Sequence, residues 1–137
     1  MTNFQASEFI NKKCLVTGGA GFIGSHLARH LRKLGAEVKI IDNFSNGNKN
    51  NIHDFNNIGI NIFDLDITNQ EQTKKCYKNI DFVFHQAAIA SVPYSMKHPE
   101  KSRLHNVEGT ISVLKNSSKM GVSKVVFASS SAVYGDT

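Results

Sequence analysis

Short apolar runs alternate with longer segments of helical periodicity along the chain, and this alternation constrains the fold more than any other feature. The short runs are rich in β-branched and aromatic residues, as is typical of strands covered on both faces: residues 14–16, 38–41, 58–63, 82–84 and 125–128. Strands separated by helices pair in parallel, with helices packed on both faces of the sheet. The sequence therefore predicts an α/β fold with a doubly wound parallel sheet of about five strands.

The segments between these runs carry apolar residues at helical spacing, and they predict helices over residues 22–34, 69–77 and 99–120. Gly35 follows the first segment, where a C-terminal cap is expected. Thr68 is the expected N-cap of the second helix, with Glu71 completing a capping box. The asparagine-rich stretch 43–57 is predicted to be a polar loop.

A glycine-rich turn, TGGAGFIG, joins the first predicted strand to the first predicted helix. It contains Gly19-x-Gly21-x-x-Gly24 and, in overlapping register, Gly18-x-x-Gly21-x-x-Gly24. Such glycines permit a tight turn, let the backbone approach a pyrophosphate, and leave the helix N-terminus open to an anion. Glycine-rich turns also serve only to reverse a chain, but here a strand precedes the turn and a helix follows it. The turn therefore predicts dinucleotide binding.

Acidic residues follow the second and third predicted strands. Asp42, 18 positions beyond Gly24, could accept hydrogen bonds from an adenosine ribose and would repel a 2′-phosphate. This position favours NAD over NADP, and the alternative is an aspartate that caps the next turn. Asp66 could bind the amino group of adenine, or it could cap the helix that follows.

Small and hydroxyl residues follow the last two predicted strands. Ala87 and Ala88, in the sequence HQAA, would let a flat cofactor approach the backbone, or would merely pack against a helix. Ser129, Ser130 and Ser131 end the fifth run at the same edge. A single serine there could form a turn, but a cluster predicts hydrogen bonding to a substrate.

Composition excludes several classes of protein. The 137 residues, 40% of them hydrophobic, suit one domain, and no apolar stretch approaches the roughly 20 residues of a membrane helix. The net charge is +5, but the 16 Lys and Arg are scattered, so we expect no nucleic-acid partner. Two distant cysteines suit the reducing cytoplasm. His26 and His30 lack a third ligand, so no metal site is expected.

Together these motifs resemble the extended short-chain dehydrogenase/reductases, and within them the NAD-dependent nucleotide-sugar epimerases and dehydratases. The resemblance rests on TGGAGFIGSHL, DN, DLDI, HQAA, NVEGT and SSSAVYG, in this order from about Lys13 onward. Residues 85–110 are most similar to UDP-N-acetylglucosamine 4-epimerases, with UDP-glucose 4-epimerases next. The resemblance implies a leader over residues 1–12 and a Rossmann-type NAD-binding domain over residues 13–137. This domain is expected to be incomplete, truncated before the C-terminal substrate domain of the family.

The implied activity is 4-epimerisation of a UDP-sugar, in which NAD takes a hydride from C4 and returns it to the opposite face of a 4-keto intermediate. The resemblance also implies a possible homodimer through the helix over residues 99–120.

The resemblance assigns each part of the cofactor to a set of residues. It assigns the pyrophosphate to Gly18, Gly21, Phe22, Ile23 and Gly24, and the ribose to Asp42, Asn43, Phe44, Ser45, Asn46 and Gly47. It assigns the adenine to Asp66 and Ile67, and the nicotinamide side to Gln86, Ala87, Ala88, Ile89 and Ala90, with Asn106 holding this loop or the cofactor.

The implied catalytic serine is Ser130, four residues before Tyr134, with Ser131 as the fallback and Ser91 facing the sugar. The family's base is a tyrosine with a lysine four residues later, which lowers the pKa of the tyrosine. No such pair occurs in this sequence: the fourth residue after Tyr77 is Asp81, the fourth after Tyr94 is His98, and the chain ends too soon after Tyr134. We therefore expect this chain to be inactive by itself.

Other functions remain open from the sequence. One is a stand-alone NAD-binding module that regulates a partner, and another is a dehydratase or decarboxylase of the same family. The family's 4,6-dehydratases carry an Asp-Glu pair directly after the catalytic threonine, where this chain has Ser131 and Ala132. The absence of these acids favours epimerisation.

Overall fold

A computed structural model describes residues 6–135, and its regular elements follow the predicted alternation. The strands are β1 (Lys13–Thr17), β2 (Glu37–Asp42), β3 (Ile60–Asp64), β4 (Phe82–His85) and β5 (Lys124–Phe127). The α-helices are α1 (Phe22–Lys33), α2 (Gln70–Lys74), α3 (Val92–Lys97), α4 (Pro99–Arg103) and α5 (Gly109–Lys119). A π-helical segment, Leu104–Glu108, joins α4 to α5, and short 3₁₀ turns cover Ala6–Phe9, Lys49–Ile52, Lys75–Tyr77 and Ser131–Tyr134.

The strands form one sheet in the order β3-β2-β1-β4-β5, and every neighbouring pair is parallel. The strand order reverses between β1 and β4, which opens a crevice at the carboxyl ends of these strands. This is the Rossmann arrangement, and the predicted doubly wound α/β fold is confirmed. Among the described residues, no helix is both long and apolar enough to cross a bilayer.

Two hydrophobic clusters cover the two faces of the sheet. Cys14 and Val16 of β1 face a cluster that includes Leu31 of α1. Leu15 points to the opposite face and joins a cluster that includes Val113 of α5. Because successive side chains of a strand point to opposite faces, burial on both sides explains why the strands are continuous apolar runs in the sequence.

Several predicted boundaries shift by a few residues, and two of the differences have a clear local cause. The third strand begins at Ile60 rather than at residue 58, because Gly59 adopts a φ of +76° in the preceding turn. The N-cap of α2 is Asn69 and not Thr68, since the Asn69 Oδ1 accepts a 3.1 Å hydrogen bond from the Gln72 N–H. Thr68 instead donates its backbone and side-chain hydrogens to a neighbouring aspartate.

Other segments contribute more structure than the sequence indicated. The polar loop 43–57 inserts Ile52 and the fully buried Phe55 into the core. Phe9, in the segment assigned to a leader, is buried and packs its ring edge on Phe82 at 5.8 Å between centroids. The boundary at residue 13 stays a prediction. Helix α3 was not predicted, because it has only six residues and a two-residue apolar repeat, Val92 and Met96, is too short to reveal a period.

Candidate functional site

The glycine turn between β1 and α1 packs directly against other backbone. Gly18 has a φ of +70°, and a Cβ there would lie 2.7 Å from the Ala87 nitrogen, at the end of the neighbouring β4. A Cβ on Gly24 would overlap the carbonyl oxygen of Gly18. Only glycine fits at these two positions, so the backbone of the turn packs closely and lies beside the crevice between β1 and β4.

The N-terminus of α1 opens toward this crevice. Gly21 is its N-cap in extended conformation, and among the described residues no side chain caps the helix. The backbone N–H groups of Phe22, Ile23 and Gly24 are consequently first-turn donors without partners in the helix. Together with the helix dipole, such donors form an anion-binding site.

A pocket lies between this turn and the carboxyl ends of β1, β2, β3 and β4. Its lining includes most of the predicted cofactor residues: Gly18, Gly21, Asp42, Asn43, Ser45, Asn46, Gly47, Ile67, Gln86, Ala87, Ala88 and Ile89. Three further lining residues were not predicted, namely Ile41, Leu65 and His105. Ile41 and Leu65 directly precede Asp42 and Asp66, so their place at strand ends was a usable signal. His105 had none.

Asp42 ties the glycine turn to the loop after β2. Its Oδ2 accepts a 2.9 Å hydrogen bond from the Ala20 N–H, and its Oδ1 accepts one of 2.8 Å from the Phe44 N–H. The residue is 8% exposed. The Phe44 bond is the turn-capping role foreseen as the alternative for Asp42. Each carboxylate oxygen retains acceptor capacity, so the cap is compatible with binding a ribose.

Asp66 follows β3 and accepts hydrogen bonds from several side chains. Thr68 donates through its N–H at 2.8 Å and its hydroxyl at 2.6 Å, and the Asn43 amide donates at 2.8 Å. Burial acts to raise the pKa of Asp66, but the hydrogen bonds from Thr68 and Asn43 and the charge of His105 outweigh it and hold the pKa below its usual value. Asp66 is therefore ionised at neutral pH.

His85, at the end of β4, is buried between two threonine hydroxyls. Its Nδ1 lies 2.6 Å from Thr17 Oγ1, and its Nε2 lies 2.9 Å from Thr110 Oγ1. Thr110 donates its hydroxyl to the Asn106 carbonyl at 2.7 Å, so it accepts from His85 Nε2, and His85 Nδ1 accepts from Thr17. Burial lowers the pKa of His85, in agreement with a neutral ring.

The same chain of hydrogen bonds holds the loop after β4 at two points. Thr17 Oγ1 accepts a 3.3 Å hydrogen bond from the Ala87 N–H. The Asn106 side chain accepts from the Ile89 N–H at 2.8 Å and donates to the Ile89 carbonyl at 3.0 Å. Asn106 was expected to hold either this loop or the cofactor, and in the structure its side chain holds the loop.

A wider depression continues from this loop toward the end of β5. Of the predicted residues it is lined by Ile23, Ala90, Asn106 and Ser130, together with the loop after β4. Ser130 Oγ accepts a 3.1 Å hydrogen bond from the Ala132 N–H, which leaves its hydroxyl proton able to point at a ligand. Residues that were not predicted complete the lining: His85, Val92, Ser95, Met96, Thr110, Phe127, Ala128, Ser129 and Val133.

The remaining predicted site residues do not line either cavity within the described part of the chain: Phe22, Gly24, Phe44, Asp66, Ser91 and Ser131. Ser91 caps α3, where its Oγ accepts a 3.3 Å hydrogen bond from the Tyr94 N–H. Ser131 begins the last 3₁₀ turn. Their roles toward cofactor and substrate stay predictions.

Neither cysteine has the setting of a nucleophile. Burial raises the pKa of Cys14 to about 12, and burial also raises that of Cys76. Both thiols are free. Within residues 6–135, no group of three or more His, Cys, Asp or Glu side chains could hold a metal ion.

Residues 14–137 match the model of the NAD dependent epimerase/dehydratase family. The chain belongs to this family. It is 44% identical over 126 residues to the putative UDP-glucose 4-epimerase of Methanocaldococcus jannaschii, and the match covers 89% of this chain and 39% of that protein. It is 42% identical over 126 residues to the UDP-N-acetyl-alpha-D-glucosaminuronate decarboxylase of Bacillus cytotoxicus, covering 92% of this chain and 39% of that protein.

A solved structure in this family has the same architecture. The UDP-N-acetylglucosamine 4-epimerase of Methanobrevibacter ruminantium superposes with a TM-score of 0.86 at 38% identity, over 93% of this chain and 41% of that one. This chain thus spans about 40% of the length of these relatives. The family includes both epimerases and decarboxylases that act on UDP-sugars.

NAD is the cofactor of the epimerase/dehydratase family, and the pocket fits it. The fit rests on the glycine turn, where Gly18 and Gly21 line the pocket without side chains and no side chain caps the N-terminus of α1 within the described residues. Asp42 stands at the pocket wall with acceptor capacity for a ribose, and its negative charge disfavours a further anion there. Ala87 and Ala88 line the wall nearest β4, and their small side chains leave the pocket space beside them open.

Proposed function

We propose that this chain is the NAD-binding portion of a UDP-sugar 4-epimerase, with UDP-N-acetylglucosamine or UDP-glucose as substrate and the cytoplasm as its location. The observation that most supports this proposal is the tightly packed glycine turn. It presents the N-terminus of α1 to the pocket that Asp42 and the loop after β4 also line. Similarity to the putative UDP-glucose 4-epimerase, at 44% identity, supports the choice of reaction.

In this proposal each part of the pocket has one task. The N–H groups of the glycine turn bind the pyrophosphate, and Asp42 accepts from the adenosine ribose. The series of hydrogen bonds from Thr17 through His85 to Asn106 holds the loop after β4 in position beside the nicotinamide. When bound, NAD supplies a hydride acceptor for C4 of the sugar and returns the hydride to the opposite face.

Ser130 is the residue that we place at the sugar. Its hydroxyl opens on the depression next to the loop after β4, where it can donate a hydrogen bond to the C4 oxygen. Oxidation of C4 also requires a base for the hydroxyl proton, and this sequence has no Tyr-x-x-x-Lys pair to supply it. The proposal therefore places the base outside these residues.

The cofactor part of the proposal is tested by titrating the chain with NAD and NADP by isothermal calorimetry. We expect NAD to bind at least tenfold more tightly, because Asp42 repels a 2′-phosphate. Asp42→Ala should abolish most of this preference. Asp64→Ala is the matched control, since Asp64 pairs with Asp42 in register across β2 and β3 but is exposed. Equal affinities of the unaltered chain for the two dinucleotides would contradict the proposal.

A decarboxylase of the same family is the second candidate, and it is favoured by the 42% identity to the Bacillus cytotoxicus decarboxylase. A ketone at C4 stands β to a carboxylate at C6, so the same oxidation would lead to loss of CO₂. Incubating the protein encoded by the complete reading frame with UDP-glucose, UDP-N-acetylglucosamine and UDP-glucuronate distinguishes the two. A new 4-epimer in the NMR spectrum supports the epimerase, whereas release of CO₂ from UDP-glucuronate supports the decarboxylase.

A further inference from the structure

Asn46 and Gly47 form the single Asn-Gly pair of the sequence, and both residues line the pocket proposed for NAD. The pair lies in the loop after β2, where Asn46 is exposed to solvent. A Cβ on Gly47 would come within 2.7 Å of Asp42 Oδ1. The pair is therefore directly beside the carboxylate of the pocket wall.

The segment that contains this pair is anchored on both sides but not within it. The Ser45 N–H donates to a side-chain oxygen at 3.0 Å, and the Asn48 N–H donates to the Ala20 carbonyl oxygen at 3.1 Å. Between these anchors, neither the backbone nor the side chain of Asn46 and Gly47 makes a hydrogen bond to the described part of the chain. The pair is thus free to rotate, as ring closure between a side chain and the next backbone nitrogen requires.

An asparagine that precedes a glycine is open to spontaneous deamidation, because glycine has no side chain to shield its backbone nitrogen. In this reaction the glycine nitrogen attacks the side-chain carbonyl carbon of the asparagine and forms a C–N bond. The amide nitrogen leaves as ammonia and takes the proton of the glycine N–H. Water then opens the cyclic imide to give an aspartate or, by opening at the main-chain carbonyl, an isoaspartate. No oxidant or reductant is needed.

We propose that Asn46 is a site of spontaneous deamidation, and that the carboxylate replacing its amide weakens binding of an anionic ligand in the pocket. The new charge lies beside Asp42, and in the proposed function the same pocket holds a pyrophosphate. An isoaspartate also lengthens the main chain between the anchored residues Ser45 and Asn48, which displaces the loop. The modification itself rests on the loop alone, whereas its effect on binding rests on the proposed cofactor site.

Two other exposed asparagines of the same loop are internal controls, because the backbone nitrogen that follows each of them is held by a hydrogen bond. After Asn50, the Asn51 N–H donates to a carbonyl oxygen at 2.9 Å. After Asn57, the Ile58 N–H donates to a carbonyl oxygen at 3.1 Å, and the β-branched side chain of Ile58 crowds this nitrogen. Neither nitrogen is available to attack the preceding side chain.

The modification is tested on the unaltered chain by incubation at pH 9 and, in parallel, at pH 6, followed by peptide mass spectrometry. We expect the amide of Asn46 to be lost about tenfold faster or more than those of Asn50 and Asn57, because only Asn46 precedes an unshielded nitrogen. Loss should be faster at pH 9, since the attacking nitrogen must give up its proton. Equal rates at the three asparagines overturn the modification site.

The effect on the pocket is tested with Asn46→Asp, which has the product carboxylate, and with Asn57→Asp, which adds the same charge away from the pocket. Calorimetry at low and high salt measures the NAD affinity of each variant, and circular dichroism verifies that each is folded. Asn46→Asp should bind NAD about three- to tenfold more weakly than the unaltered chain at low salt, and less so at high salt, where charges are screened. Asn57→Asp should bind as the unaltered chain does.

Two results overturn the effect on binding and leave the cofactor site standing: Asn46→Asp binds NAD as tightly as the unaltered chain, or its loss of affinity does not change with salt. Failure of every protein to bind NAD overturns the cofactor site and, with it, the effect on binding. The mass spectra, which are recorded without NAD, still decide whether Asn46 is the modification site.

Discussion

At the scale of single residues, Gly21 and Gly24 of the phosphate turn lie three positions apart but differ in the space around them. A methyl group on Gly24 would overlap the Gly18 carbonyl, whereas one on Gly21 would approach the same oxygen only to 3.2 Å. Gly21 has a φ of −70°, which any residue adopts. The two glycines therefore serve different ends, packing at residue 24 and access to the pocket at residue 21.

Gly24→Ala should accordingly destabilise the fold by about 1–3 kcal/mol or more, the cost of overpacking against backbone that cannot move aside. Gly21→Ala should fold with near-normal stability but bind NAD at least several-fold more weakly, because Gly21 lines the pocket. Urea unfolding and NAD titration of the two variants measure both effects. Equal stability of the two variants would contradict this assignment.

The buried His85 makes stability depend on pH in a defined direction. Burial depresses its pKa in the folded chain, so between that pKa and about 6.5 the unfolded chain binds more protons. Its contribution is fully present above pH 6.5 and is lost as the pH falls, by up to about 1.4 kcal/mol per pH unit. Protonation of Nδ1 disrupts the hydrogen bond that it accepts from Thr17, whereas Nε2 still donates to Thr110.

Urea unfolding at pH 7.5 and pH 5.0 tests this prediction. The free energy of unfolding should fall between these values, and His85→Gln should be less stable at pH 7.5 but show a smaller fall. His30→Ala, which removes an exposed histidine, should keep the dependence of the unaltered chain. Asp54 and Asp66, whose pKa values are lowered, contribute only at more acidic pH. If His85→Gln loses as much stability as the unaltered chain, His85 is not the responsible group.

At the scale of elements, the helical stretch from α4 through α5 presents an apolar stripe that the described chain leaves uncovered. Its members recur at helical spacing and are 39–49% exposed: Leu104, Val107, Ile111 and Leu114. A contiguous exposed apolar surface of this kind marks an interaction site. This is the stretch through which a homodimer was expected from the family resemblance.

We predict that the chain self-associates through this stripe, and that Ile111→Glu raises the dimer dissociation constant at least tenfold, because it places a charge in an apolar contact. Analytical ultracentrifugation over a concentration series measures the change. Ile10→Glu is the control, since Ile10 is 56% exposed but lies outside the stripe. A chain that stays monomeric at its highest soluble concentration would refute the prediction.

At the scale of the whole molecule, the pocket proposed for the cofactor and the wider depression proposed for the substrate lie side by side and share the loop after β4. The loop after β4 and the Ser130 end of β5 line this depression. Phe127 and Val133, which line it, are 60% and 70% exposed.

We therefore expect the chain to bind NAD but not to convert UDP-sugars. Without the Tyr-x-x-x-Lys pair no phenolate can take the proton that must leave the sugar hydroxyl as the hydride does. Incubation with NAD and UDP-N-acetylglucosamine, followed by proton NMR, should reveal no epimer and no reduced cofactor. Turnover at ordinary enzymatic rates would show that another group of this chain is a competent base.

Much of the architecture could be predicted because its signals are local. The strands are continuous apolar runs since both faces of the sheet are covered, and α1 lies between a glycine turn and Gly35. Asp42 was found from its spacing to Gly24. Helix α3 was not predicted because its six residues are too few to show an apolar period. The N-cap of α2 was missed because it required a choice between adjacent polar residues, Thr68 and Asn69.

The sequence by itself determined the fold class, the phosphate turn and the acidic residue beside it, because strand and helix periods and glycine spacing act over a few residues. Only the tertiary structure decided which distant side chain donates a hydrogen bond to Asp66, how His85 is protonated, and where Phe9 packs. These depend on contacts between residues far apart in the chain, such as the 68 positions that separate Thr17 from His85. No local pattern records such contacts, since they follow from the order of the strands in the sheet.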